Sequence, residues 1–389
     1  MKKFRVLALV LALVLCMSAF TACGKEEASG TVTEDGVSVF KIGGIGPLTG
    51  GAAVYGEAVK VGAEIAVEEI NAMGGNIQFE YEFEDDENDA EKSVNAYNAL
   101  KDWGMQIVLG SVTTNPCVAT SAESFEDRIF QITPSASSTK VTEGHDNVFQ
   151  VCFTDPNNGV AAANYIVNNG LAEKVAVIYR NDDDYSTGIY NTFKAEAETL
   201  GLEIVSATTF TSETANDFSV QLNEAKNAGA DLVFIPIYAE PASLILAQAD
   251  EMGYDATFMG TDGMDGILTL EGFDPALAEG LIMITPFAAD AEDEMTQNFV
   301  AEFEARTGIV PNQFAADAYD AIYIIYAAIE AAGVTADMTT EEICEALIEV
   351  MPTISYDGLT GEGMTWSADG AVTKPSTAIV IENGVYVGL

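Results

Sequence analysis

The chain has 389 residues, more than one ordinary core encloses, which points to two domains of roughly 150–200 residues. Apolar residues make up 48% and charged residues 20%, as in a folded soluble protein and unlike a disordered or collagen-like chain. Acidic residues outnumber basic ones 61 to 16, a formal charge of −45, and a surface of that sign repels a phosphate backbone, which excludes nucleic acid as a partner.

Lys2, Lys3 and Arg5 precede an apolar run from Val6 to about Phe20. The run is short for a membrane span and suits the core of a secretory signal, so residues 1–22 are expected to direct export. Phe20-Thr21-Ala22-Cys23-Gly24 resembles a bacterial lipobox, with Phe20 where Leu is usual. That resemblance implies a lipid on Cys23 that holds the exported protein to the outer face of the cell membrane. The alternative is a soluble secreted protein cleaved nearby. Cleavage removes three basic residues and no acidic ones, leaving −48. Residues 23–37 have few large apolar groups and much Gly, Ser, Thr and Glu, as a flexible tether should.

From residue 39, short β-rich apolar runs alternate with amphipathic stretches. The pattern predicts strands at 39–44, 77–83, 106–110 and 129–133, interleaved with helices at 55–73, 90–103 and 118–126. After an irregular stretch at 134–147, helices at 157–169, 189–200, 218–228 and 242–252 alternate with strands at 174–179, 203–209, 232–236, 257–259 and 281–284. Helices at 292–306, 314–332 and 340–350 follow, and a β-rich piece at 378–382. Two βα series of similar size give an α/β chain of two parallel-sheet lobes.

Of five cysteines, Cys16 leaves with the signal and Cys23 carries the expected lipid. An extracytoplasmic location permits a Cys117–Cys152 disulfide; three free thiols, Cys344 included, are the other reading. No CxxC occurs, so neither a zinc nor a redox motif is supported. The acidic runs Glu84-Asp85-Asp86-Glu87 and Asp182-Asp183-Asp184 lack the spacing of a calcium loop, and no metal or cofactor is expected. There is no G-x-S-x-G elbow, and the single histidine, His145, sits in a polar loop far in pattern from any activated serine. The glycine-rich segment Gly43–Gly51 follows the first strand, but it departs from the dinucleotide spacing, and Pro47 removes a backbone N–H from the cradle.

Ile42-Gly43-Gly44-Ile45-Gly46-Pro47-Leu48-Thr49-Gly50, Tyr55-Gly56, Gly62-Ala63 and Glu69-Ile70-Asn71-Ala72-Met73-Gly74-Gly75 resemble the opening of the branched-chain amino-acid-binding proteins of ABC importers. Ile107–Thr114, Ile132–Ser137, Asp155-Pro156, Asp184–Gly188, Asp217-Phe218 and Phe258-Met259-Gly260 continue the resemblance in the same order over nearly the whole mature chain. It implies the type I periplasmic-binding-protein fold, two Rossmann-like lobes joined by three crossovers with a ligand cleft between them. Lobe 1 is expected at 38–154 plus 285–366, and lobe 2 at 155–284 plus 367–389.

A zwitterionic ligand needs donors for its carboxylate and acceptors for its ammonium. By resemblance, Thr114 and Ser137 hold the carboxylate, while the Ser135 carbonyl and the Ser137 hydroxyl take the ammonium. The competing reading is that these hydroxyls merely cap the helices that follow. Asp262 of lobe 2 falls where the family often has Glu and is expected on the ammonium, with Asp265 as the alternative. Tyr185 and Tyr238 are expected to cover the ligand, and Tyr55, Val112, Thr113, Ala136 and Phe314 to line its side-chain pocket. Asn88 and Thr113 stand where some relatives carry a disulfide. The implied function is capture of a branched-chain amino acid by a monomer that hands it to permease subunits. Another small amino acid, an amide or urea, an aromatic acid, a sensory role, or a hydrolase built on His145 are the alternatives.

Overall fold

The computed structural model describes residues 30–389; the expected signal 1–22 and Cys23 lie outside them. The first lobe starts with β1 (Thr31–Val32), β2 (Ser38–Gly46), α1 (Ala53–Ala72), β3 (Ile77–Asp85), α2 (Ala90–Trp103), β4 (Ile107–Gly110), α3 (Thr114–Asp127), β5 (Phe130–Thr133) and β6 (Val148–Gln150). Strands β3-β2-β4-β5-β6 pair in parallel, and β1 adds antiparallel to β2. Every residue of β4, β5 and β6 is buried, as a sheet covered on both faces requires.

The second lobe contains α4 (Asp155–Asn168), β7 (Lys174–Arg180), α5 (Asp184–Leu200), β8 (Glu203–Phe210), α6 (Ser219–Ala228), β9 (Leu232–Phe234), α7 (Ala239–Glu251), β10 (Thr257–Gly260) and β11 (Ile282–Thr285). The chain then returns to the first lobe through α8 (Glu294–Thr307), α9 (Gln313–Ala332), α10 (Thr340–Val350), β12 (Ser355–Gly358), β13 (Gly361–Trp366) and β14 (Val372–Thr373). It ends in the second with β15 (Thr377–Glu382) and β16 (Val385–Gly388). The second sheet runs β8-β7-β9-β10-β11-β15-β16, its last two strands antiparallel, and β12-β13-β14 form a small antiparallel sheet. Helix α9 is buried on nearly every side of its first half and packs along α1.

The α/β class and the paired parallel sheets are as expected, and the chain crosses between lobes three times. The third crossing falls later than residue 366. Strand β14 still pairs with β13, and Gln150 donates its amide to the Gly370 carbonyl at 2.9 Å, so residues through Thr373 stay with the first lobe. Lys374 follows, its side chain wholly buried. It donates to the Val151 carbonyl at 2.8 Å, Asp317 Oδ1 at 2.9 Å and Thr360 Oγ1 at 2.7 Å, which ties the first and third crossovers to α9. Cys117, Cys152 and Cys344 are buried free thiols, so of the two cysteine readings the structure has the one without a disulfide.

Candidate functional site

In each lobe the strand order reverses beside the first strand, between β2 and β4 and between β7 and β9. Connections leaving the carboxyl ends diverge at such a switch point and leave a crevice there. The segments after β2, β4 and β5 face those after β7, β9 and β10 across a narrow void. Tyr55, Val112, Thr113, Ser135 and Phe314 line it from the first lobe, and Tyr185, Tyr238, Asp262 and Gly263 from the second. With the lobes this close the void holds little more than one water, so a larger ligand enters only as they part.

The first-lobe wall is rich in hydroxyls. Helix α3 begins at Thr114, four residues earlier than the apolar pattern predicts, and no side chain caps its amino end. Thr113, in the capping position, donates instead to Asn88 Oδ1 at 2.7 Å, so the two positions expected to replace a disulfide are in contact. Thr114 Oγ1 and Ser137 Oγ are buried without any partner, one and two residues beyond the lining residues Thr113 and Ser135. Ser135 Oγ donates to the Val112 carbonyl at 2.6 Å. The capping reading therefore fails for Thr113 and Thr114. The unsatisfied Thr114 hydroxyl at an uncapped helix start, where the helix dipole is positive, suits a carboxylate.

The second-lobe wall is acidic. Asp262 is 3% exposed and lines the void. Its Oδ1 accepts from Tyr185 Oη at 2.8 Å and from the Gly263 amide at 2.9 Å, and its Oδ2 from Asn158 Nδ2 at 3.1 Å. No Lys or Arg lines the void, and burial lifts the Asp262 carboxyl to about 6 against the pull of those hydrogen bonds. Asp265 turns away; its Oδ2 accepts the Gln313 amide at 2.7 Å at the start of α9. Of the two acidic candidates, only Asp262 faces the void.

Two neighbours went unassigned in the sequence. Asp155 is 1% exposed, neither carboxylate oxygen reaches hydrogen-bond geometry, and burial drives its carboxyl well above the usual range against the pull of the nearby Ser137 hydroxyl. Its amide donates to the Ser137 carbonyl at 2.9 Å. Asn158, one turn on along α4, reaches Asp262 with its amide nitrogen and leaves its Oδ1 unpartnered. The Asp155-Pro156 pair was the available signal; its spacing to Asn158 puts both on one helix face.

Aromatic rings close the remaining sides. Tyr185 and Tyr238 stack at 4.9 Å between centroids, Tyr55 lies 5.6 Å from Tyr238, and Phe314 meets Tyr55 edge-on at 4.7 Å. Tyr55 of the first lobe donates to the Gly263 carbonyl at 2.7 Å and accepts the Ala239 amide at 2.8 Å, both in the second. Lys140 and Asp184 add an inter-lobe ion pair at 2.8 Å. Ala136 corrects the expected lining: its side chain packs with Cys117, Val141 and Val148 away from the void, because its carbonyl is held by Gln150 Nε2 at 2.7 Å. His145 packs against Phe125, with Nδ1 3.4 Å from the Val141 carbonyl.

A family model described as "Periplasmic binding protein" matches residues 39–384. The chain is similar to the Leu/Ile/Val-binding protein homolog 3 of Brucella melitensis, 31% identical over 90% of this chain and 93% of that one. It is 29% identical to the leucine-, isoleucine-, valine-, threonine-, and alanine-binding protein of Pseudomonas aeruginosa, over 79% and 81% of the two chains. Among solved structures, the branched-chain amino acid transporter substrate-binding protein LivJ of Streptococcus pneumoniae, in complex with isoleucine, superposes with a TM-score of 0.80. It is 28% identical, and the match covers 90% of this chain and all of that one.

Proposed function

The chain belongs to the periplasmic binding protein family, and we propose that it is the substrate-binding protein of an ABC importer, taking an amino acid of the leucine, isoleucine and valine class between its lobes. One observation carries this reading. Thr113 and Ser135 line one side of the inter-lobe void, next in the chain to the buried, unpartnered hydroxyls of Thr114 and Ser137, and the Asp262 carboxylate lines the other side, where no Lys or Arg stands. An α-amino acid supplies both complements, a carboxylate for the hydroxyls and an ammonium for Asp262, and leaves its side chain among Tyr55, Val112 and Phe314. The ligand touches both lobes only when they are together, so binding shifts the hinge equilibrium toward closure, and Tyr55 and the Lys140–Asp184 pair join the contacts that hold it. The ligand leaves unchanged, handed to permease subunits.

A smaller or more polar amino acid, alanine or threonine, is the second reading; the narrow void and the Thr113 hydroxyl in its wall favour it. Calorimetric titration of the intact protein with leucine, isoleucine, valine, alanine, threonine and benzoate tests both. The proposal expects saturable binding of aliphatic amino acids and none of benzoate, which carries no ammonium; the reverse ranking contradicts it.

We place the protein outside the cell membrane, as a monomer, held there by a lipid on Cys23. Cys23→Ser is expected to move it from the membrane fraction to the soluble fraction, and an unchanged distribution contradicts the anchor.

A further inference from the structure

The acidic run Glu84-Asp85-Asp86-Glu87 lies at the end of β3, and its carboxylates hold the backbone that follows. Glu87 and Asn88 both stand in the left-handed region, at φ 49° and 57°, where residues with a side chain are uncommon. Asp85 Oδ1 accepts the Glu87 amide and Asp86 Oδ1 the Asn88 amide, each at 2.9 Å, and Asp86 is fully buried. So braced, Asn88 brings its side chain onto Thr113 in the wall of the inter-lobe void, where its Oδ1 accepts the Thr113 hydroxyl at 2.7 Å.

That bond decides what Thr113 can still do. A hydroxyl has one proton to donate and lone pairs with which to accept. With the proton directed at Asn88, the Thr113 oxygen is left as an acceptor. The same holds for three more of the five hydroxyl side chains that line the void. Ser135 donates to the Val112 carbonyl at 2.6 Å, Tyr55 to the Gly263 carbonyl at 2.7 Å and Tyr185 to Asp262 Oδ1 at 2.8 Å. Tyr55 and Tyr185 each accept a backbone amide besides, from Ala239 and Gly263, so their oxygens are filled. Thr113 and Ser135 accept nothing among the described residues. Next to Thr113 in the chain, Thr114 keeps an uncommitted hydroxyl for the ligand carboxylate. The ammonium is drawn to Asp262 on the opposite wall, so the donor that fits Thr113 is one on the ligand's side chain.

We propose that the Asn88–Thr113 pair fits this site to an amino acid with a side-chain hydroxyl, and that it holds threonine ahead of valine. The proposal rests on the amino-acid reading above and names a preference within it. Threonine and valine have the same shape, so the narrowness of the void does not separate them. In an apolar pocket the threonine hydroxyl gives up its water without a new partner, and valine binds better. With Thr113 accepting, the hydroxyl regains its bond, and valine leaves the Thr113 lone pairs empty.

Calorimetric titration of the intact protein with threonine and valine is the test. The quantity read is the ratio of two affinities in one preparation, which a general loss of stability does not move. The parent is expected to bind threonine about threefold or more tighter than valine. Thr113→Val is expected to shift the ratio about tenfold toward valine, and Thr113→Ser, which returns the hydroxyl, to restore it. Asn88→Ala leaves the Thr113 hydroxyl free to turn and is expected to lower the ratio about threefold; Asn88 is only half-buried, so this variant reads the ratio even where Thr113→Val fails to fold. A parent that binds leucine and valine but favours valine over threonine overturns the proposal and leaves the amino-acid reading standing. A ratio unchanged in Thr113→Val or in Asn88→Ala overturns it as well. A parent that binds none of the three amino acids overturns the amino-acid reading itself, and the proposal with it.

Discussion

Replacing Asp262 by asparagine moves stability and binding in opposite directions. The carboxyl is fully desolvated and titrates at about 6. That is about 2 above the ordinary aspartate value, and at about 1.4 kcal/mol per pH unit the ionised group costs the folded, ligand-free protein roughly 3 kcal/mol at neutral pH. The raised value fixes the sign. The folded state holds this proton more tightly than the unfolded one, so the cost is absent below pH 4, grows between about 4 and 6, and is complete above 6. Asparagine keeps the shape and can still accept from Tyr185 and Gly263 at the Oδ1 position. Its new Nδ2 would meet Asn158 Nδ2; a flipped Asn158 amide accepts the bond with Oδ1 and gives up its 3.2 Å bond to the Phe153 carbonyl, a loss smaller than the cost of the buried charge. Asp262→Asn is therefore expected to be as stable as the parent or more so at pH 7.5, with the difference vanishing below pH 4. Leucine affinity is expected to fall about a hundredfold, as when one partner of a buried charge pair is removed. Urea melts across pH and calorimetric titrations read the two effects separately. A variant that binds leucine as tightly as the parent, or that loses stability and affinity together, refutes the reasoning.

Ser137→Ala removes a buried hydroxyl that makes no well-formed hydrogen bond, its neighbour being the Asp155 carboxyl, so the melting temperature should hold or rise while leucine affinity drops about tenfold; a destabilised variant would mean the hydroxyl supports Asp155. If Asp262 must be ionised to meet the ammonium, leucine affinity is flat above pH 6 and falls below it by up to about tenfold per pH unit. Calorimetry in buffers of different ionisation enthalpy at pH 5.5 should then detect proton release that Asp262→Asn abolishes. Tyr55→Phe deletes two inter-lobe hydrogen bonds, so X-ray scattering of the liganded protein should report a more open form and affinity should fall about tenfold; an unchanged profile and affinity would remove Tyr55 from closure. Lys374→Met leaves Asp317 buried without its cation and should cost about 3–5 kcal/mol in urea unfolding, whereas a loss below 1 would mean that the pair contributes little at the crossovers.

The sequence pattern reaches the central elements closely and misses in a systematic way at helix starts. Helix α2 and helix α10 were legible residue by residue. One has Asp89 as its amino cap and Gly104 in the left-handed position at its end, and the other a reciprocal Thr339–Glu342 capping box, signals that the letters carry themselves. By contrast α3, α5 and α7 begin at Thr114, Asp184 and Ala239, three to five residues before the apolar periodicity appears. Those first turns face the cleft and hold Thr114 and Tyr185, with Tyr238 in the capping position of α7. Residues chosen for a ligand blur the pattern chosen for a core. The small sheet β12-β13-β14 was not legible, because its strands are two to six residues long and mostly exposed or half-exposed.

Of the eleven expected binding positions, eight line the void, and Thr114, Ala136 and Ser137 adjoin lining residues in the chain. Ala136 failed because a strand-end residue alternates faces, and only the Gln150 bond reveals which face it takes. Asp155 and Asn158 stayed hidden because their meaning depends on what surrounds them. An Asp-Pro pair at a helix start reads as a cap, and only burial without partners makes it a neighbour of the cleft.

The most direct test is a crystal structure of the intact protein with leucine. One leucine is expected between the lobes, its carboxylate within hydrogen-bond distance of the Thr114 and Ser137 hydroxyls and its ammonium on Asp262. A leucine bound with Asp262 free of its ammonium, or seated outside the cleft, would contradict it.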